Sequence, residues 1–169
     1  MAPLPVPDAV APAIGYRLWE VRGEALRSLW FPAIPWEPNR AARARCLQTQ
    51  GELASRLAGR DLPFHAAPDP RCGCGVWAAS SPDQLPATWS GTREIVVCGV
   101  VAVWGRVVVA ERGWRGQFAC PVALSYEAPE GPGPVAVTDP DWRSFVISGV
   151  ARRYGVPVFA RILDAEVRR

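Results

Sequence analysis

The 169-residue chain contains no lysine, so all 19 of its basic residues are arginine. It also has one histidine, one methionine and a single asparagine, Asn39. Each shortage narrows the chemistry. With His65 as the only histidine, acid–base relays and a Ser-His-Asp triad have little to work with, and no two carboxylates stand in an evident pair. A glycine-rich phosphate loop, a dinucleotide fingerprint and a nucleophile elbow are all missing. Hydrolase readings are therefore poor. No run approaches the ~20 apolar residues that span a bilayer. The opening Met-Ala-Pro-Leu-Pro-Val-Pro-Asp has neither a basic nor a hydrophobic segment, so we expect no secretory signal, a cytoplasmic location and no membrane partner. The missing lysine and asparagine read as GC-rich codon usage. Arginine nevertheless stays charged at any working pH and pairs well with flat anions.

What is present is a globular composition. Hydrophobic residues make up 49% of the chain and the net charge is +3. That is enough apolar material for a core, and too little charge to demand a nucleic-acid or membrane partner. The length fits a proline-rich, flexible lead-in over 1–13, a single α+β domain over 14–163 and a frayed tail over 164–169. The organising stretch is 94–126. Ile95 to Ala110 is the chain's richest run of β-branched residues, which fit a pleated surface and lose rotamer freedom in a helix. Glu111-Arg112-Gly113 supplies a turn, and a mixed strand resumes from Trp114 to Leu124 across Pro121. We expect a long hairpin at the heart of a curved, mainly antiparallel sheet. Its first arm barely alternates and should be buried on both faces, with Gly99 and Gly105 marking bends or bulges.

The flanking segments follow from local signals. Gly15–Val21 and Ala25–Phe31 read as a short hairpin turning at Arg22-Gly23-Glu24. Asn39 to Ala58 has helical spacing, with Cys46, Leu47, Gln50, Leu53, Ala54 and Leu57 on one face. Cys72 to Ala79 begins as a tight turn and ends as a short strand, and Ser81-Pro82-Asp83 reads as the start of a one-turn helix. Asp139 caps a helix over 140–154, which Gly155 and Pro157 end. Trp142, Phe145, Val146, Val150 and Tyr154 are spaced to face the sheet. Val158 to Leu163 reads as an edge strand. A helix-turn-helix around Val150–Val156 is the less favoured reading of this region, because Pro157-Val158-Phe159 prefers extended backbone.

Three sets of residues carry chemistry. Cys46, His65, Cys72 and Cys74 offer the thiolates and imidazole that zinc prefers, in the number that completes a tetrahedral site. An iron–sulfur cluster is the rarer occupant of such a set. The spacing matches no standard zinc signature, and Cys46 on a helix face would serve equally as a small hydrophobe. In a reducing compartment metal and packing roles outrank disulfides, and Cys98 and Cys120 read as residues packed in or beside the sheet. The eight tryptophans among many arginines form the second set, a composition suited to stacking bases or sugars. Trp19, Trp30, Trp77, Trp104 and Trp142 read as core. The third set is Glu111, Arg112, Trp114 and Arg115, which looks like a surface recognition tip at the hairpin turn.

The order Gly15-Tyr16-Arg17-x-Trp19, Cys46, His65, Cys72-x-Cys74-Gly75-Val76-Trp77-Ala78, Trp104-Gly105-Arg106-Val107-Val108, Glu111-x-Gly113-Trp114-Arg115 and Ala119-x-Pro121 resembles a family of small bacterial proteins. The likeness covers roughly 15–126. It implies that the Cys/His set is a family feature, and it implies no reaction. A strand ending in Gly-Val-Trp-Ala before a short capped helix is also faintly similar to ADP-ribosyltransferase-like folds, whose catalytic residues match nothing here. Two functional expectations follow. One is a non-catalytic, metal-stabilised binding module whose partner is a protein or nucleic acid. The other is an enzyme acting on a nucleotide-derived substrate in a cleft between Cys72–Ala79 and the sheet.

Overall fold

The computed structural model describes residues 11–29, 35–46, 65–86, 95–127 and 139–162. The strands are β1 (Ala13–Arg22), β2 (Ala25–Ser28), β3 (Pro35–Trp36), β4 (Ala42–Arg43), β5 (Val76–Ala79), β6 (Ile95–Ala110), β7 (Gly113–Ser125) and β8 (Val158–Phe159). They form one sheet, with a single α-helix among the described residues, α1 (Pro140–Tyr154). β6 pairs along one edge with β1, from Ala13↔Val103 to Val21↔Ile95, and along the other with β7. β7 pairs onward with β5, and β5 meets β1 at Tyr16↔Ala79, so the path β1–β6–β7–β5 closes on itself. β2 and β3 extend from β1, β4 joins β7, and β8 is the one parallel neighbour.

The non-alternating sequence of β6 has a direct cause. Val97, Val101 and Val103 enter one core with Trp19, Val21 and Leu124, while Val96, Cys98 and Val100 enter a second with Tyr16, Leu18 and Ala123. Both faces are covered from Ile95 to Val103, whereas Val107 and Val109 beyond them are exposed. The expected two-sided burial thus holds for the first part of the arm alone. Register shifts fall between Val100 and Val101 and between Trp104 and Val107, the second containing Gly105 at φ 78°. Gly113, at φ 143°, admits no side chain, because a Cβ there would strike the Ala78 carbonyl of β5.

α1 begins and ends as its sequence signals dictate. The Asp139 carboxylate accepts hydrogen bonds from the Asp141 and Trp142 amides at 2.9 and 3.3 Å, and Gly155 closes the helix in the left-handed region. The buried face matches the expected one in part. Val150 and Tyr154 pack inward as expected, joined by Ile147 and Ala151, and Val146 packs against the core, while Phe145 is 76% exposed and Trp142 is 42% exposed. Tyr154 accordingly bridges β2 and β3, accepting from the Leu26 amide at 3.0 Å and donating to the Trp36 carbonyl. On the inner side Arg143 donates to the Val96 carbonyl at 2.9 Å. Spacing alone does not fix how far the buried stripe extends around the helix.

Other expectations are corrected or fall outside the described residues. Residues 39–46 are not helical: Asn39 turns at φ 60° and Ala42–Arg43 pairs with Phe118–Ala119 of β7. Backbone pairing with an adjacent strand overrides a helical pattern that Gly51 already weakens. Residues 47–58, the lead-in over 1–10, Trp30, Leu163 and the tail lie outside the described residues. Ser81 makes no side-chain cap, and Pro82–Gln84 is a single 3₁₀ turn. Trp19 is fully buried, Trp104 is half-buried against Phe118, and Trp77, expected in the core, is 45% exposed.

Candidate metal centre

Cys46 follows β4, and Cys72 and Cys74 lie in the turn that feeds β5. Both strands are held against β7. That shared neighbour brings residues 26 positions apart together: Cys46 Sγ lies 3.8 Å from Cys72 Sγ. Cys74 Sγ lies 3.4 Å from His65 Nε2. All four candidate ligand atoms fall within 4.8 Å of one another. A tetrahedral zinc with Zn–S of ~2.3 Å and Zn–N of ~2.1 Å implies S···S edges of about 3.8 Å and S···N edges of about 3.6 Å. The cluster therefore has the size of a mononuclear four-ligand site. Cys98 and Cys120 stay out of it, buried in the sheet, where burial pushes their thiols up to about 12 and about 11.

The hairpin holds the ligand loops from the other side. Arg115 of β7 is buried, and its Nη1 donates to the carbonyls of Asp69 at 3.2 Å, Cys74 at 3.0 Å and Cys72. Its guanidinium also lies 5.3 Å from the Trp77 ring centroid. Arg106 of β6 donates to the Ala66 carbonyl at 3.3 Å, beside His65. Gly75, at φ 125°, lets the chain pass this guanidinium stem, since a Cβ there would sit 2.9 Å from Arg115 Cβ and 3.0 Å from Pro68 Cβ. Within the turn, Asp69 Oδ1 accepts from the Arg71 amide at 2.8 Å, a bond that holds its carboxyl below the usual range. With a divalent ion bound, three thiolates and a neutral imidazole would sum to a charge of −1, which the Arg115 guanidinium would offset at short range.

Arg115 was expected at an exposed tip with Glu111, Arg112 and Trp114. Instead it turns inward to the cysteine loop. Trp114 is half-buried against the main core, leaving Glu111 and Arg112 at the surface, where Arg112 donates to the Gln84 carbonyl at 3.0 Å. On a strand successive side chains face opposite ways, so one recognition face could not hold both residues 114 and 115.

Beside the cluster lies a cavity of about 640 Å³, bounded by Cys72–Ala79, by 42–46, and by Tyr16, Arg17, Ser28 and Trp36. Its described wall contains Arg17, Arg43, Arg45 and Arg112 and no carboxylate. Sequence reasoning missed Arg17 and Trp36. Arg17 stands between the large apolar residues Tyr16 and Leu18 of β1, and a charge so placed was the available signal. Among the described residues no helix is long and apolar enough to cross a membrane. No family model, curated protein or solved structure matches the chain.

Proposed function

We propose that the protein is a small metal-stabilised binding module, in which Cys46, His65, Cys72 and Cys74 hold one structural zinc. The convergence of their four ligand atoms within 4.8 Å carries this reading. Zinc is favoured over an iron–sulfur cluster because a cluster interposes several atoms between its thiolates, which then stand farther apart than these do. Four protein ligands leave no open coordination position for water or substrate, so the ion's contribution is to order the ligand loops. The hairpin residues Arg106 and Arg115, which donate to carbonyls of the ligand loops, fit this reading. The reducing cytoplasm would keep the thiols available for the ion, and the partner is a protein or nucleic acid. Elemental analysis of protein purified without a histidine tag tests the proposal. One zinc per chain is expected, lost in Cys72→Ser and Cys74→Ser and kept in Cys98→Ser. A metal-free protein that melts identically with and without chelator refutes it.

A further inference from the structure

Arg17 is the anomaly of the core. It is 7% exposed, and its Nη1 and Nη2 donate to the Trp77 carbonyl and the Ser28 hydroxyl, both neutral acceptors. Its guanidinium lies 5.2 Å from the Trp36 ring centroid, and its Nε is buried without a partner. Among the described residues no carboxylate pairs with it. Burial pulls its pKa down to about 10, the direction expected of a cation that no anion compensates. Holding such a charge away from water is costly, and a paired anion would offset that cost. The cavity that Arg17 lines could admit one. Arg43, Arg45 and Arg112 stand on the same wall, so the site offers more positive charge than a single carboxylate needs.

The rest of the wall suits a flat ring. Trp77 lines the cavity, with its indole N–H donating to the Gly73 carbonyl at 3.0 Å and Arg115 over its ring. Arg115 is not in the cavity wall. The ring is thus fixed in orientation while 45% of the residue stays exposed. A volume of about 640 Å³ lies in the range of small-ligand sites.

We propose that this cavity binds a phosphate-bearing ligand with a planar ring, of the size and chemistry of a nucleoside monophosphate, with the phosphate on Arg17 and the rim arginines and the ring against Trp77. Arginine matches phosphate through paired N–H donors, and indole faces stack bases with little sequence preference. The same chemistry occurs in a free nucleotide and at the 5′ end of a single strand. The inference deepens the binding-module reading by giving the partner a chemistry. It rests on that reading only for the ordering of the Cys72–Cys74 wall.

The experiment is calorimetric titration of the full chain with adenosine 5′-monophosphate, adenosine, inorganic phosphate and the 5′-phosphorylated dinucleotide pApA, with zinc content measured on the same sample. Saturable one-to-one binding of the monophosphate is expected, with adenosine and phosphate each at least tenfold weaker. Arg17→Gln should weaken binding at least tenfold. Because Arg17→Gln can perturb folding, the exposed double variant Arg43→Ala/Arg45→Ala provides a second test and should weaken binding several-fold. Tighter binding of pApA identifies a strand end as the source, and tighter binding of the mononucleotide a free nucleotide. No saturable binding of either up to millimolar concentration by folded protein overturns the proposal, as does affinity unchanged in both variants. Zinc-free protein that binds the monophosphate refutes the zinc reading alone, and zinc-loaded protein that binds no probe refutes this one alone.

Discussion

Replacing Arg115 with methionine tests whether the hairpin holds the metal centre. The substitution keeps a long side chain but removes the donor shared by the carbonyls of Asp69, Cys72 and Cys74. Each hydrogen bond from a charged donor contributes about 1.5–3 kcal/mol, but the three share one nitrogen and the turn is half-exposed, so water replaces part of the loss. The charge that offsets the thiolates disappears as well. Loss of an outer-sphere partner of a metal site lowers affinity about 10–100-fold, and we expect the middle of that range, equivalent to about 2 kcal/mol. Through linkage the same loss should lower the melting temperature of the zinc-loaded protein by roughly 4–8 °C. Competition against a chromophoric chelator gives the affinity and circular dichroism confirms the fold. Arg106→Met is the control: among the described residues that guanidinium reaches only the exposed Ala66 carbonyl, at 3.3 Å, and the change should be less than tenfold. Folded Arg115→Met protein with zinc affinity within about twofold of the parent would refute the reasoning.

Three further outcomes follow from packing and burial. Ile147→Ala should cost about 2–5 kcal/mol in urea unfolding, because Ile147 is fully buried, whereas Phe145→Asp should change stability by about 0.5 kcal/mol or less; the opposite ranking would mean that α1 packs through its other face. Cys98 and Cys120 should resist alkylation at pH 8 until the chain unfolds, as mass spectrometry of labelled peptides would show. Their thiols are raised from the ordinary 9.0 to about 12 and about 11, mainly by burial, so the fold keeps protons that the unfolded chain releases. That contribution to stability is complete below pH 9.0 and is lost as pH rises toward about 11 and 12, and a flat urea midpoint across this window would contradict it. Chelation should accelerate hydrogen exchange in β5 before it does so in the β1–β6–β7 pairings, and uniform acceleration would argue against a local role for the ion.

The parts legible in the sequence were those whose signals are local. Valine-rich β6, the turn at Glu111-Arg112, the Asp139 cap and the Gly155 stop depend on residues close in sequence, and the structure places each where those residues require. The ligand set was legible as chemistry, because thiolate and imidazole in one irregular region suggest a metal whatever the spacing. Facing was harder to read. Of the expected stripe Val146, Val150 and Tyr154 do meet the core, but Trp142 and Phe145 do not and Ile147 does, because only the sheet's position fixes which edge of the stripe is covered. Residues 39–46 look helical in isolation, yet pairing with β7 gives extended backbone at Ala42–Arg43. The arginines were hardest of all: Arg17 was missed, and Arg115 was placed at an exposed tip. Nothing near Arg115 in sequence indicates that its guanidinium crosses to the carbonyls of Cys72 and Cys74, since that contact depends on β5–β7 register.

The same register explains why a metal centre belongs at this place in the fold. β1, β6 and β7 are long and pair through many residues, but the ring returns to β1 through β5, four residues long, with Tyr16↔Ala79 as the one β1–β5 pair. A strand that short, half exposed along Trp77, contributes little burial of its own. Its upstream turn contains Cys72 and Cys74, and the ion they would share with Cys46 ties that turn to the end of β4. Both tethered segments lie along β7, and Arg115 between them grips the turn's carbonyls. Such a cross-link would act where the hydrogen-bonded ring is weakest, and the same turn forms one wall of the arginine-lined cavity. Ordering the turn and shaping the cavity would then be one physical event, so on the proposed reading a metal with no open coordination position would still control what the protein binds.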